Sequence, residues 1–368
     1  MIERDELGAW LRLLETPGVG RESARKLLAA FGSPEAVFAA SPARRRAAAP
    51  GPAASALDSP PDGHAVLVER TWAWLHEADP AQRRVVCLGD PDYPPALLES
   101  GDPPLLLYTR GRIDLLGARS IAVVGSRNPT VQGLDNARSF ARRLSRSGWT
   151  VVSGLALGID AAAHEGALEG SAGTIAVVGT GVDQTYPRRN QVLAQRIAGN
   201  GLIVSEYSLG TPPLPAHFPV RNRIIAGLSR GTLVVEAALK SGSLITARMA
   251  VESGREVFAI PGSIHSPQSR GCHHLIKQGA KLVETAEDML EELGMSAPPD
   301  AVKESAAPET DPRDPVLDAM GHDPIALDAL IDRTGWPAHE LSARLLELEL
   351  AGHVARLPGQ RYQRRAQA

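Results

Sequence analysis

Phe218–Gly262 reads FPVRNRIIAGLSRGTLVVEAALKSGSLITARMAVESGREVFAIPG, and its pattern decides the fold class of this 368-residue chain. Two short apolar runs, Thr232–Val235 and Glu256–Ile260, have strand character, and each follows a helical run. Between them, Ser241-Gly242-Ser243 forms a small hydroxyl-rich turn that opens directly onto Leu244-Ile245-Thr246-Ala247. A turn of this kind presents backbone N–H groups at a helix start, where an anion docks. Upstream, Arg221 and Arg223 bracket Asn222. If that segment is helical the two arginines point about 200° apart, so one faces the turn and the other meets a buried carboxylate such as Glu236. A strand, a phosphate-sized turn and two arginines in one unit predict binding of a polyanion.

Working outward, strand and helix patterns alternate from about Arg119 to Leu293. The expected strands are Ile121–Gly125, Thr150–Ser153, Thr174–Val178, Leu202–Ser205, Thr232–Glu236, Glu256–Ile260 and Lys281–Val283. Most are continuous Val/Ile/Ala runs, as required when helices cover both faces of a sheet. The class is therefore α/β, with a doubly wound, mostly parallel sheet whose ligands bind beyond the C-terminal strand ends. The residues there are of one kind. Gly125 allows close approach to the backbone, Ser126 can donate a hydrogen bond, and Arg127 supplies charge. Asn128 or Thr130 can cap the next helix, with Pro129 near its first turn. Ser153-Gly154 begins a second small-residue turn leading to Asp160 and His164, whose i, i+4 spacing suits a hydrogen bond across one helical turn. Gly179-Thr180-Gly181 begins a third, followed by Tyr186-Pro187-Arg188-Arg189-Asn190.

The flanks read differently. Residues 1–84 are small helices in which Gly18-Val19-Gly20 resembles a helix-hairpin-helix turn; it either offers N–H groups to a phosphate or serves packing alone. Residues 47–63 are low-complexity and read as a mobile loop. Residues 85–116 carry repeated X-Pro pairs, which favour extended backbone over helix and suggest a strap, with short strands at Asp92–Pro95 and Pro103–Tyr108. The sheet domain is placed at 85–293. Residues 294–313 form a Pro/Ala/acid linker. Beyond it, helices at Val316–Met320, Ile325–Ile331 and Ala338–Leu350, then strands at His353–Leu357 and Arg361–Gln363, give a winged-helix pattern over 314–368.

The net charge of −3 hides a partition by domain. Arg21–Arg46 holds six basic and two acidic residues, Asp314–Leu350 holds eight acids against two arginines, and Gly352 onward holds four arginines and no carboxylate. With 43% hydrophobic residues the chain can bury a full core. Two cysteines, Cys87 and Cys272, indicate a reducing compartment. The opening residues lack the order of a signal peptide and no apolar run approaches 18 residues, so a cytoplasmic protein with no membrane segment is expected.

Enzymatic readings fare poorly. No G-x-G-x-x-G or G-x-x-x-x-G-K-[ST] run is present, so nicotinamide and ATP cofactors are disfavoured and none is predicted. Ser153, Asp160, His164, Glu206 and Glu236 match no triad or paired-carboxylate spacing. Cys272-His273-His274 suggests a metal, but adjacent histidines point to different faces of a helix. The alternative kept open is a nucleotide or nucleoside-phosphate hydrolase using the strand-end crevice, with Glu236 or Glu206 as the acid–base residue.

Eight ordered runs resemble the DprA/Smf family of DNA-processing proteins: VVGSR (123–127), SGLALGIDAAAH (153–164), YP (186–187), SE (205–206), FPVRNRIIAGLS (218–229), VVEAALKSGSLITA (234–247), PG (261–262) and GCHHLIKQGA (271–280). Leu157 occupies a variable slot of the second run where a basic residue could have added charge. The resemblance implies an extended Rossmann-like domain that binds single-stranded DNA without catalysis, forms a homodimer, and helps load RecA recombinase during natural transformation. Together with the residue reading it places DNA at Gly125, Ser126, Arg127, Ser153, Gly154, Arg188, Arg189, Asn190, Arg221, Asn222, Arg223, Ser241, Gly242, Ser243 and Thr246. Tyr186, His217 and Phe218 are the nearest surfaces on which bases could rest. Leu275, Ile276 and Leu282, apolar near a sheet edge, suggest where the dimer forms. The acidic third helix of the winged helix would repel a phosphate backbone, which points it towards a protein contact.

Overall fold

A computed structural model describes residues 2–77, 83–294, 314–321 and 324–365. The linker expected at 294–313 falls outside the described residues except for Gly294. Six helices come first: α1 Arg4–Glu15, α2 Arg21–Phe31, α3 Pro34–Ala39, α4 Pro42–Ala48, α5 Pro52–Ala56 and α6 His64–Leu75. Ser33 and Ser41 cap α3 and α4, accepting from the N–H of Ala36 and Arg44, and a proline sits at the start of each helix, where its missing N–H costs nothing. Leu7, Leu11, Leu27, Val37 and Leu57 are fully buried between these helices.

The stretch read as a mobile loop, 47–63, contains α5 and is anchored. Ala54 and Leu57 are fully buried, Arg12 donates from Nη2 to the Leu57 carbonyl (2.8 Å), and Arg45 pairs with Asp58. Two apolar side chains and two guanidiniums are enough to order a segment of low complexity.

The sheet domain contains β1 Arg83–Cys87, α7 Pro95–Leu98, β2 Leu106–Gly111, β3 Ser120–Val124, α8 Val131–Arg146, β4 Thr150–Ser153, α9 Ile159–Ala167, β5 Thr174–Val177, α10 Gln191–Asn200, β6 Leu202–Ser205, α11 His217–Leu228, β7 Gly231–Val234, α12 Ser243–Glu252, β8 Glu256–Ala259, α13 Arg270–Lys277, β9 Lys281–Leu282 and α14 Ala286–Glu292. The sheet has nine strands in the order β1-β2-β6-β5-β4-β3-β7-β8-β9. The run from β6 to β9 is parallel throughout, while β1 and β2 add antiparallel at one edge. Each expected strand is present, ending one or two residues short of the apolar run in five of seven.

The proline-rich segment is a correction. It is an integral sheet edge, since β1 pairs with β2 (Val85 opposite Tyr108) and β2 with β6. Asp92–Pro95 is not a strand. It is a turn that starts α7, with Pro95 at the first helical position, and Tyr93 donates its buried hydroxyl to the Pro104 carbonyl at 2.7 Å.

Successive strands run outward from β3 in one direction through β4, β5 and β6, then return to its other side as β7, β8 and β9. Register there is Val123 opposite Leu233 and Ala122 opposite Val152. The strand order reverses beside β3, which fixes where a crevice opens.

The last module comprises α15 Pro315–Met320, β10 Ile325–Ala326, α16 Leu327–Thr334, α17 Ala338–Leu350, β11 Val354–Leu357 and β12 Arg361–Arg364, around its own core of Leu330, Leu341, Leu345 and Tyr362. This is a winged helix, with β11 and β12 as the wing. Among the described residues no helix is long and apolar enough to cross a membrane.

Candidate nucleic-acid interface

A crevice of about 590 Å³ lies beyond the C-terminal ends of β3 and β7, at the reversal of strand order. Three pieces of chain supply most of its lining. The turn after β3 contributes Gly125, Ser126, Arg127 and Asn128; α11 contributes Phe218, Arg221 and Asn222; the turn into α12 contributes Lys240, Ser241, Gly242, Ser243 and Thr246.

The α12 start is open at its tip. A Cβ on Gly242 would meet nothing within 4 Å. Ser241 Oγ accepts from the Ser243 N–H (3.3 Å) and lies 2.7 Å from Ser243 Oγ, so the turn is tied internally by its hydroxyls. The Leu244 and Ile245 N–H groups donate back to Ser241 and Gly242, which leaves fewer donors for an anion than the sequence suggested. Charge comes from exposed Arg127 and Lys240, which both line the crevice. The Arg127 guanidinium sits 6.0 Å from the Phe218 ring centroid, and Phe218 in turn packs on Tyr186, ring centroids 5.5 Å apart. Tyr186 is 48% exposed and also lines the crevice.

Half of the SGLALGIDAAAH run is scaffold. Ser153 Oγ donates to the Val123 carbonyl at 2.7 Å, and Asp160 accepts from the Gly154 and Ala156 N–H groups. His164 Nε2 accepts from Leu155 N–H (3.3 Å) while its Nδ1 meets Thr174 Oγ1 at 2.7 Å. Asp160 and His164 therefore do not bond each other as the spacing suggested. Each instead clamps a turn in which Leu155 takes a left-handed φ of 57°, a conformation that persists only when its surroundings hold it. Asn190 completes the clamp, donating to the carbonyls of Leu155 and Ala156. Ser153 and Asn190 are thus buried braces, not ligand groups.

Arg221 is a correction of the same kind. Although it borders the crevice, it is 4% exposed, and its Nη1 donates to the carbonyls of Gly154 (2.7 Å) and Val177. A Cβ on Gly154 would lie 2.5 Å from that nitrogen, so this glycine serves the arginine and not a ligand. Gly125 is likewise a packing glycine: its Cβ would meet Ile159 at 2.7 Å and the Glu236 carbonyl at 2.9 Å. Burial lowers Arg221 to about 10 and raises Asp160 above the carboxylate range, each opposed by attraction to the other.

Arg223 points away, pairing with Glu206 and with Asp102 (3.0 Å). Glu236, the expected partner, instead accepts from Thr130 N–H (2.9 Å) and Oγ1 (2.5 Å), and burial raises its carboxyl against those hydrogen bonds. Asp102 also draws in Arg21 (2.8 Å) and Arg25 (2.5 Å) from α2, so the helix-hairpin-helix packs on the sheet domain with its arginines turned inward. Partial burial opposes the charged form of Asp102, yet these guanidiniums hold its carboxyl below its ordinary value. Arg188 and Arg189 lie exposed in a 3-10 turn outside the crevice lining. Cys272 is buried and its thiol faces the Val234 carbonyl at 3.5 Å, whereas His273 Nε2 lies exposed, 3.0 Å from the Gly262 carbonyl, so the two do not converge. Lys240 was missed, although its place immediately before Ser-Gly-Ser was the available signal.

Burial pushes His164 down to about 3, with Arg221 adding to the effect. The unfolded chain takes up a proton near pH 6.5 that the folded chain refuses. Stability from neutral His164 is therefore complete above that pH and lost as pH falls towards 3, at about 1.4 kcal/mol per pH unit. Urea midpoints measured from pH 7 to 4 should fall more steeply in the wild type than in His164→Gln.

A family model described as DNA recombination-mediator protein A matches residues 84–294. A DprA-like N-terminal HHH domain matches 4–62 and a DprA winged helix domain matches 296–360. Protein Smf of Escherichia coli is 43% identical over 300 residues, covering 79% of each chain. DNA processing protein DprA of Streptococcus pneumoniae is 51% identical over 203 residues, 55% of this chain and 72% of the relative. The X-ray structure of the pneumococcal protein superposes with a TM-score of 0.68 at 38% identity, covering 77% of this chain and 97% of the other. A structure of DNA processing protein A from Helicobacter pylori, described for its single-stranded DNA binding mode, gives a TM-score of 0.52 at 33% identity over 57% of this chain and 95% of the other. With all three parts matched in order, this chain belongs to the DNA recombination-mediator protein A (DprA) family.

Proposed function

We propose that the protein binds single-stranded DNA without sequence preference in the strand-end crevice, as a homodimer that protects the strand and helps load RecA recombinase. The observation that carries the DNA reading is the juxtaposition at one strand end of two exposed cations, an open helix start and an aromatic pair whose Tyr186 is exposed. Single-strand binders combine these elements: cations meet phosphates and aromatic faces take bases of any identity. The Helicobacter relative supports the same substrate. The hydrolase reading is disfavoured, because neither of its acid–base candidates, Glu236 and Glu206, is among the residues that line the crevice. Titration with oligo-dT should saturate, and incubation with nucleotides should give no turnover; turnover without DNA binding would reverse the assignment.

The dimer and RecA parts rest on the family. For the dimer, β9 is a sheet edge whose Leu282 is 45% exposed, whereas Leu275 is buried and Ile276 half-buried, so the edge residue is the one available for contact. Light scattering should give twice the chain mass, and Leu282→Arg should return it to the monomer. The winged helix supports a protein contact: the one arginine of α17, Arg344, is held by Asp314 and Glu347, while Glu340 is exposed and Glu349 half-buried.

A further inference from the structure

The third helix of a winged helix ordinarily turns its outer face to the major groove, where polar and basic side chains read a duplex. Here the outer face of α17 is apolar. At about 100° per residue, His339, Ala343, Leu346 and Leu350 fall on one stripe, opposite the stripe of Leu341, Leu345 and Leu348 that enters the module core. All four are exposed, Leu346 at 56% and Leu350 at 81%. Among the described residues no large apolar side chain is more exposed than Leu350. Steps of four, three and four residues are those of a coiled-coil seam, which a second helix covers with knobs in holes. Charge indicates what covers this one. Glu340 and Glu347 flank the stripe on one side, and half-buried Glu349 lies on the other. The two arginines of Asp314–Leu350 are both engaged: Arg344 is held by Asp314 and Glu347, and Arg333 donates to the Ala319 carbonyl at 3.0 Å.

We infer that this stripe docks an amphipathic helix of another protein, one with large apolar residues at the same three-and-four spacing and lysine or arginine beside them. The inference rests on reading the winged helix as a protein contact, and adds the face and the partner's chemistry. A helix with an apolar stripe on each side is one that is covered on both, and the module core covers only the first. A second copy of α17 fits poorly, because its flanking glutamates would meet these glutamates at close range. Duplex DNA fits poorly as well: the leucines offer its phosphates nothing and the carboxylates repel them. A basic-flanked helix satisfies both the seam and its flanks.

The test uses full-length protein and two synthetic helical peptides with leucine at every a and d position of the heptad, one carrying lysine and the other glutamate at e and g. Wild type should bind the lysine peptide about tenfold more tightly than the glutamate peptide, since like charges across a seam select against a partner. Leu346→Gln/Leu350→Gln keeps good helix formers at two solvent-facing positions and should weaken lysine-peptide binding about a hundredfold, about tenfold for each leucine no longer buried. Glu340→Lys/Glu347→Lys should transfer the preference to the glutamate peptide, a reversal that misfolding would not produce. No binding, equal binding of the two peptides, or binding untouched by the leucine substitutions would overturn this inference alone. A halved mass by light scattering in Leu346→Gln/Leu350→Gln would give the stripe to a second copy and also overturn it. A fall in duplex DNA affinity in that variant would overturn the protein-contact reading along with it.

Discussion

Arg221→Ala should lower the unfolding free energy by about 3–5 kcal/mol, because two buried carbonyls lose their donor and a buried carboxylate loses an attracting cation. Three losses combine. The carbonyls of Gly154 and Val177 lose their donor, Asp160 loses the cation that opposes its burial, and the side-chain volume is emptied. The turn carrying left-handed Leu155 should loosen with it, since Arg221 holds the residue immediately before. Denaturant unfolding checks the magnitude, and amide exchange at 153–158 checks the location. A mere loss of DNA affinity with stability unchanged would return Arg221 to the ligand-contacting role that its sequence position suggested.

Arg127→Ala/Lys240→Ala should behave in the opposite way. Both side chains are exposed, so stability should be unaffected while oligo-dT affinity falls and its salt dependence flattens. Each phosphate contact on a single strand contributes about 0.7 to the slope of log affinity against log salt, so the pair should remove about 1.4. Ending the chain at residue 310 removes a module with a separate core, along with its acidic α17 and the arginines that follow, and should leave the slope nearly unchanged. A slope that flattens on truncation and not in the double variant would put the DNA site in the C-terminal arginines.

The two variants divide residues that the sequence presents as equals. Arg127 and Arg221 each sit in a run that resembles the DprA/Smf family, yet one is solvated and the other is a structural cation.

The sequence by itself determined the strands, because an apolar run of four or five residues between helical periods has one low-energy use, a parallel strand covered on both faces. It also determined the place of the crevice, since ligands in such sheets bind beyond the strand ends, and Ser126, Arg127, Ser241 and Thr246 fall there. The winged helix was legible for the same local reason, its three helices and wing being defined by short-range period and turns.

Only the tertiary structure decided which polar residues are spent on the fold. Ser153, Asn190, Arg221 and Arg223 have the chemistry of ligand contacts, but their partners are the carbonyls of Val123, Leu155 and Val177 and the carboxylate of Glu206. Those partners lie 30, 35, 44 and 17 residues away in the chain, beyond any periodicity a sequence displays. The same distance hid the sheet-edge role of the proline-rich segment, whose β2 pairs with β6. A buried polar group must find a partner wherever the fold brings one, so long-range proximity, and not residue type, decides whether it braces the fold or meets a ligand.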